Sequence, residues 1–332
     1  MARREKEFTT ELDYKVELHT QQLFNENPHA PAIHTVAFPG YGSPAFRHRG
    51  SEVITYFDQV HAALHQIEPA HHRLTTVNWP ASTQETGNRK NNKKDYSLDI
   101  HPVIVQRVIE EIDDELMDSE HVRIKGHSMG GLAVLEWALW QAKIELQTHK
   151  EPQFFKRHPS VEAIVEMPAL QIHESLHSRM NILKMVGAVP FLDRLLTNRI
   201  IHAAMFDLRF NKFLADASLV NGGRYYDHTV SVNNPQALLH HAVQLAELSV
   251  AIDEYLPALQ FLSAHGVPTH FIFAELDYMV RDFSGELREL LDSENLLGSV
   301  TVLKGAHHTE DVHNPQAVAQ AIAQVTSFRP SF

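Results

Sequence analysis

Short apolar runs alternate with longer stretches in which apolar residues return every three or four positions. Ile33 to Phe38, Arg73 to Trp79, Val122 to Lys125, Val161 to Val165, Pro268 to Phe273 and Val300 to Leu303 read as short strands of the buried type. Between them, three stretches carry helical spacing. The first is Gly50 to Ile67, with Val53, Ile54, Phe57, Val60, Leu64 and Ile67. The second is Asp99 to Met117, with Asp99 as its expected cap. The third begins at Leu132. Helices are also expected over Pro235 to Ile252, onward to His265, over Phe283 to Leu291 and over Pro315 to Val325. Residues 8–24 alternate polar and apolar, which predicts one or two antiparallel edge strands. Residues 81–97, with Arg89 to Lys94, read as a solvated loop. Strands alternating with helices predict a mainly parallel sheet covered on both faces, whose ligand end is the carboxyl end of the strands. From Ala169 to Asn234 the pattern changes to helical spacing with scattered aromatics and no buried strand. Residues 1–168 and 235–332 therefore form the expected core, and 169–234 a helical cap insertion.

The run Val122 to Gly131 carries the chemistry. A short strand enters Gly126-His127-Ser128-Met129-Gly130, and a helix follows at once. That is the context of a nucleophile elbow, in which Ser128 is held on a sharp turn. Gly126 and Gly130 remove the Cβ atoms that such a turn would crowd. A serine needs a base, and the base needs an orienting acid. Asp277 follows one late strand. His307 and His308 follow the last. Glu275 is the second choice of acid, ahead of Asp311, which lies beside the histidines.

Composition narrows the partners. The 332 residues are 43% hydrophobic and carry a net charge of -12, enough for a sizeable core and unsuited to nucleic acid. No cysteine is present, so thiol chemistry and disulfides are excluded. The first residues lack the apolar core of a signal peptide and no stretch reaches transmembrane length. The expectation is a cytoplasmic protein with no stable membrane insertion, the homodimer being the one assembly left open. Twenty-four histidines generate chance metal patterns. His173-Glu174-Ser175-Leu176-His177 is a literal His-Glu-x-x-His with no clear third ligand, so no metal is expected. His61 and His65, four apart, read as a partly exposed helix face.

With these residues in hand, the chain resembles the α/β-hydrolase superfamily, in its cap-bearing serine esterase and lipase-like branch, over residues 30–167 and 235–328. Gly126-His-Ser-Met-Gly-Gly131 is similar to that family's elbow, and Ser128, Asp277, His308 follow its order. His308 precedes Pro315 at the family's spacing, which favours it over His307. Phe38-Pro39-Gly40-Tyr41-Gly42 falls where the family has a His-Gly-x loop, with Pro39 in place of the histidine. The resemblance implies an α/β fold of that type, backbone amides of Tyr41 and Met129 as oxyanion hole, no cofactor, and a small-molecule ester or thioester substrate with an apolar acyl group. The same residues would serve C–C bond, amide or peroxy-acid chemistry. A non-catalytic binding protein is the alternative from another class.

Overall fold

The computed structural model describes residues 2–9, 15–40, 46–49, 52–55, 57–79, 98–158, 160–173, 251–277, 279–308 and 310–326, with a few further positions between 181 and 248. Among the described residues, eight strands form one sheet. They are β1 (Ala2–Thr9), β2 (Lys15–Leu23), β3 (Ala32–Phe38), β6 (His71–Asn78), β7 (His121–His127), β8 (Val161–Glu166), β9 (Thr269–Ala274) and β10 (Gly298–Leu303), in the order β1-β2-β6-β3-β7-β8-β9-β10. The first two strands run antiparallel to each other, and β2 is antiparallel to β6. All other pairs are parallel. The expected architecture is present: a mainly parallel sheet between helices.

The helices divide between two faces. On one face lie α2 (His101–Glu111), α4 (Met129–Thr148) and α6 (Leu256–Ala264). They pack with Val122, Ile124, Ala163, Val165, Phe271 and Phe273 into the main apolar core. On the other face lie α1 (Asp58–Ile67) and α9 (Pro315–Val325), packed with Ile164 and Ile272. Side chains alternate across a strand. Hence Arg123, Lys125 and His127 of β7 share the second face with Glu162 and Glu166 of β8, and all five are buried. The central strand is thus apolar on one face only.

Four local expectations change. Glu52–Thr55 is strand β5, paired antiparallel with β4 (Phe46–Arg49), where one helix was expected from Gly50. Val53 and Ile54 are β-branched and fit a strand as well as a helical period. Asp99 does not cap the next helix. It belongs to a 3-10 turn, Leu98–Ile100, and Ile100 is the N-cap of α2, which gives way at Ile112 to the short α3 (Asp113–Met117). The expected loop after α4 contains α5 (Gln153–Arg157). His61 is buried, not part of an exposed face; its ring lies 5.7 Å from that of His72, and His65 lies 5.6 Å from the same ring.

The late elements are α7 (Ser284–Ser293), α8 (Glu310–His313) and α9, with a 3-10 turn at Ile252–Tyr255 before α6. The expected cap, 169–234, falls in the connection between β8 and β9. It lies almost wholly outside the described residues, as do the loop 81–97 and most of the helix expected from Pro235. Of its described apolar residues, Ala169, Leu170 and Ile172 are buried at its start, whereas Ile182 and Met185 are exposed. No helix among the described residues is long and apolar enough to cross a membrane.

Candidate active site

Ser128 connects β7 to the N-terminus of α4 at φ 54°, ψ -115°. A positive φ is unusual for a residue with a side chain and costs about 1–3 kcal/mol, so the surroundings must hold it. They do so through backbone bonds. The Ser128 N–H donates to the Glu166 carbonyl at 2.8 Å. The Ser128 carbonyl accepts from Leu132 and Ala169, each at 3.1 Å. The two glycines are required by contact. A Cβ on Gly126 would stand 2.2 Å from the Gly130 carbonyl oxygen, and one on Gly130 would stand 2.1 Å from that of Phe38. The elbow is therefore pressed against the end of β3.

The structure brings Ser128, His308 and Asp277 together. His308 Nε2 is 2.9 Å from Ser128 Oγ, and His308 Nδ1 is 2.7 Å from Asp277 Oδ2. A carboxylate at that distance accepts the Nδ1 proton, which leaves Nε2 to accept from the serine hydroxyl. The other oxygen of Asp277 accepts from the backbone N–H groups of Met279 (2.9 Å) and Val280 (3.1 Å), so the carboxylate is fixed in its turn. Ser128 and His308 are both nearly buried.

The alternatives point elsewhere. Glu275 accepts from the Gly305 N–H at 2.8 Å, away from the histidine. The His307 N–H donates to Glu310 Oε2 at 3.0 Å, which turns the loop so that the next residue, His308, faces Ser128. Asp311 bonds Lys125 and not the His308 ring. His173 is described only up to the start of its motif, and His177 lies outside the described residues. Among the described residues no group of three or more His, Asp or Glu side chains could hold a metal ion.

Met129 opens α4, so its N–H belongs to the first-turn donors that have no acceptor within the helix. The positive end of the same 20-residue helix faces the serine. Tyr41 lies outside the described residues. Gly40, just before it, is described: a Cβ added there would meet Ser128 Cβ at 3.0 Å. From sequence Gly40 was read only as part of the Phe38-Pro39-Gly40-Tyr41-Gly42 loop and given no role of its own, although a glycine directly after Pro39 was a signal for close backbone approach. Trp79 was also missed. Its indole N–H donates to the Pro39 carbonyl at 3.0 Å and ties the end of β6 to that loop.

Beneath the site the second face of the sheet is unusually polar. Arg123 is fully buried and donates to both oxygens of Glu68 and to Glu162, each at 2.7 Å, and to Thr326 at 3.1 Å. Burial alone would lower its pKa, but Glu68 and Glu162 more than offset that and raise it. Nearer the site, Lys125 lies 2.9 Å from Glu166 and 3.1 Å from Asp311. Burial, then Asp311, pushes the Glu166 carboxyl up to about 8. Asp311 is likewise penalised by burial, but Lys125 and His127 overrule that and its pKa is lowered. Burial holds the imidazoles of His34, His72 and His127 neutral, down to about 3, 3 and 4.

No protein-family model matches the chain, and no curated protein matches it. Solved structures do. A carboxylesterase of the thaumarchaeon Nitrososphaera gargenis aligns with a TM-score of 0.58 at 13% identity, over 96% of this chain and 97% of that one. Esterase E22 aligns with a TM-score of 0.58 at 16% identity, over 97% and 99%. Homoserine O-acetyltransferase from Bacillus anthracis aligns with a TM-score of 0.57 at 13% identity, over 99% and 98%. At such identities the likeness is one of fold. The strand order, the strand–Ser128–helix elbow and these full-length alignments together give the chain the fold of the α/β-hydrolase superfamily.

Proposed function

We propose that the protein is a serine hydrolase of carboxylic esters or thioesters. The observation that carries this reading is the continuous hydrogen-bonded line from Ser128 Oγ through His308 to Asp277, with the serine on a strained turn at a helix N-terminus. A surface Gly-Ser loop would need neither the strain nor the buried partners. In the proposed reaction His308 takes the Ser128 proton as Oγ attacks the carbonyl carbon. It then returns the proton to the departing alkoxide or thiolate, which leaves an acyl-enzyme that water cleaves. Asp277 fixes the Nδ1-protonated tautomer and balances the imidazolium. The amides of Met129 and Tyr41 receive the oxyanion, and loss of one such donor typically costs about 3–4 kcal/mol. The close approach of Gly40 to Ser128 supports that role for Tyr41, the next residue.

The apolar residues of 169–234 favour an apolar acyl group. The aligned proteins include an esterase and an acetyltransferase, so the fold does not choose the acyl acceptor. A fluorophosphonate probe tests the nucleophile. Labelling is expected in the full chain and absent in Ser128→Ala; label that survives in the variant refutes the assignment. Run on both proteins, p-nitrophenyl esters of graded chain length then report the pocket. A preference for acetate alone contradicts the apolar acyl group.

A further inference from the structure

We propose that His127, the residue before the nucleophile, is a positioning residue for His308, clamped in that role by a buried cluster of Lys125, Glu166 and Asp311. This rests on the reading of Ser128, His308 and Asp277 given above.

The contact that motivates it is between backbone and side chain. His127 Nε2 lies 2.7 Å from the His308 carbonyl oxygen. A carbonyl only accepts, so Nε2 carries the proton and the imidazole is a donor. His127 is 3% exposed, and burial keeps it neutral in the range where esters are hydrolysed. Its ring is 5.1 Å from that of His308. Nucleophile and base come from chain segments 180 residues apart. His127 joins them by one bond from the neighbour of the first to the backbone of the second.

The cluster below holds both ends of this bond. Lys125 and His127 project from the same face of β7. Asp311 follows His308 by three residues and reaches Lys125 at 3.1 Å with one oxygen, while the other lies 3.8 Å from His127 Nε2. Glu166 meets Lys125 at 2.9 Å, and its own backbone carbonyl accepts the Ser128 N–H. One ammonium and two carboxyls in a dry site balance when one carboxyl keeps its proton. Glu166 is that carboxyl, Asp311 the charged one. The Phe57 ring covers the ammonium at 4.8 Å. The loop bearing His308 is therefore anchored twice to β7, through Asp311 to Lys125 and through its own carbonyl to His127. The height of His308 Nε2 over Ser128 follows from those two anchors.

Donor reach provides the test. In His127→Gln the side-chain amide nitrogen can occupy the place of Nε2. In His127→Asn the same amide ends one bond short. Both variants and the wild type, as full chains, are assayed for kcat and KM on p-nitrophenyl butyrate and for the rate of fluorophosphonate labelling, with thermal melts alongside. His127→Gln is expected within about threefold of wild type in kcat. His127→Asn is expected to lose tenfold or more in kcat and in labelling rate, with KM within about twofold, because the acyl pocket is untouched. Equal kcat in the two variants, lowered or not, overturns the inference, since a mere packing role has no use for the longer amide. A loss carried by KM overturns it as well. A wild type that neither hydrolyses the ester nor takes the label removes the hydrolase reading itself and this inference with it. If His127→Asn does not fold, the labelling rate of His127→Gln decides: a tenfold loss in that folded variant overturns the donor role, and a rate near wild type supports it.

Discussion

Lowering the pH from 7 to 5 should destabilise the protein well before its carboxylates protonate, because its fold buries neutral histidines. A histidine whose folded pKa is depressed takes up its proton first in the unfolded chain. Its contribution to stability is therefore complete above the ordinary value of 6.5 and is lost as pH falls towards the folded value. His34 and His72, held at about 3, and His127, held at about 4, meet that condition. At pH 5 the medium is about 1.5 units below 6.5, so each costs about 2 kcal/mol. His61, also held well below 6.5, adds in the same direction. Glu166 opposes them: its folded pKa is raised, so the native state gains relative stability as pH falls from 8 toward 4.5, and it offsets about one histidine. Asp311 and Glu162 are depressed carboxylates whose stabilisation is lost only below about pH 4.5, outside this window. The net loss between pH 7 and 5 is about 3–4 kcal/mol, a large part of a typical folding stability of roughly 5–15 kcal/mol. Reversible denaturant titrations at pH 7, 6 and 5 at fixed ionic strength would measure it, with a constant slope on denaturant as the control. A stability that is flat or rises from pH 6.5 to 5 would refute the assignment of these histidines as buried and neutral.

Three further outcomes are expected. Asp277→Asn should lower the fluorophosphonate labelling rate by about 10³–10⁴, since the amide favours the wrong imidazole tautomer, and an unchanged rate would remove Asp277 from the site. Gly130→Ala should cost about 3 kcal/mol or more in denaturant midpoint and abolish labelling, because its methyl would stand 2.1 Å from the Phe38 carbonyl oxygen; a fully stable, labelled variant would contradict the elbow packing. Arg123→Met should cost about 3–5 kcal/mol by leaving Glu68 and Glu162 buried without their cation, with little effect on labelling of the folded fraction; a neutral melt would show the network to be dispensable.

Much of the fold was legible because its strands are short, buried and punctuated. Six strands of the parallel core and the last helix were read within a few residues of their observed limits, and Ser128 stood out because a strand, two glycines and a helix surround it in sequence. The misses have physical causes. Strand β1, ARREKEFT, has almost no apolar residues, and charge is normal on a sheet edge, where no face needs a hydrophobic period. Val53 and Ile54 fitted a helical period by chance but belong to β5. The alternating cations Arg123 and Lys125 gave no sign of burial, because their partners Glu68, Glu162, Glu166 and Asp311 come from three other segments.

By itself, then, the sequence determined the alternation of strands and helices, the place of the elbow and the candidates for acid and base in their order. Those are local facts, written in spacing and in glycine. Only the tertiary structure shows that His308 and not His307 lies against Ser128, that Asp277 and not Glu275 lies against His308, and that Asp311 lies against Lys125. Each of those choices depends on which side chain a loop turns toward a residue far away in the chain, and a hydrogen bond between Ser128 and His308 leaves no periodic trace in either segment.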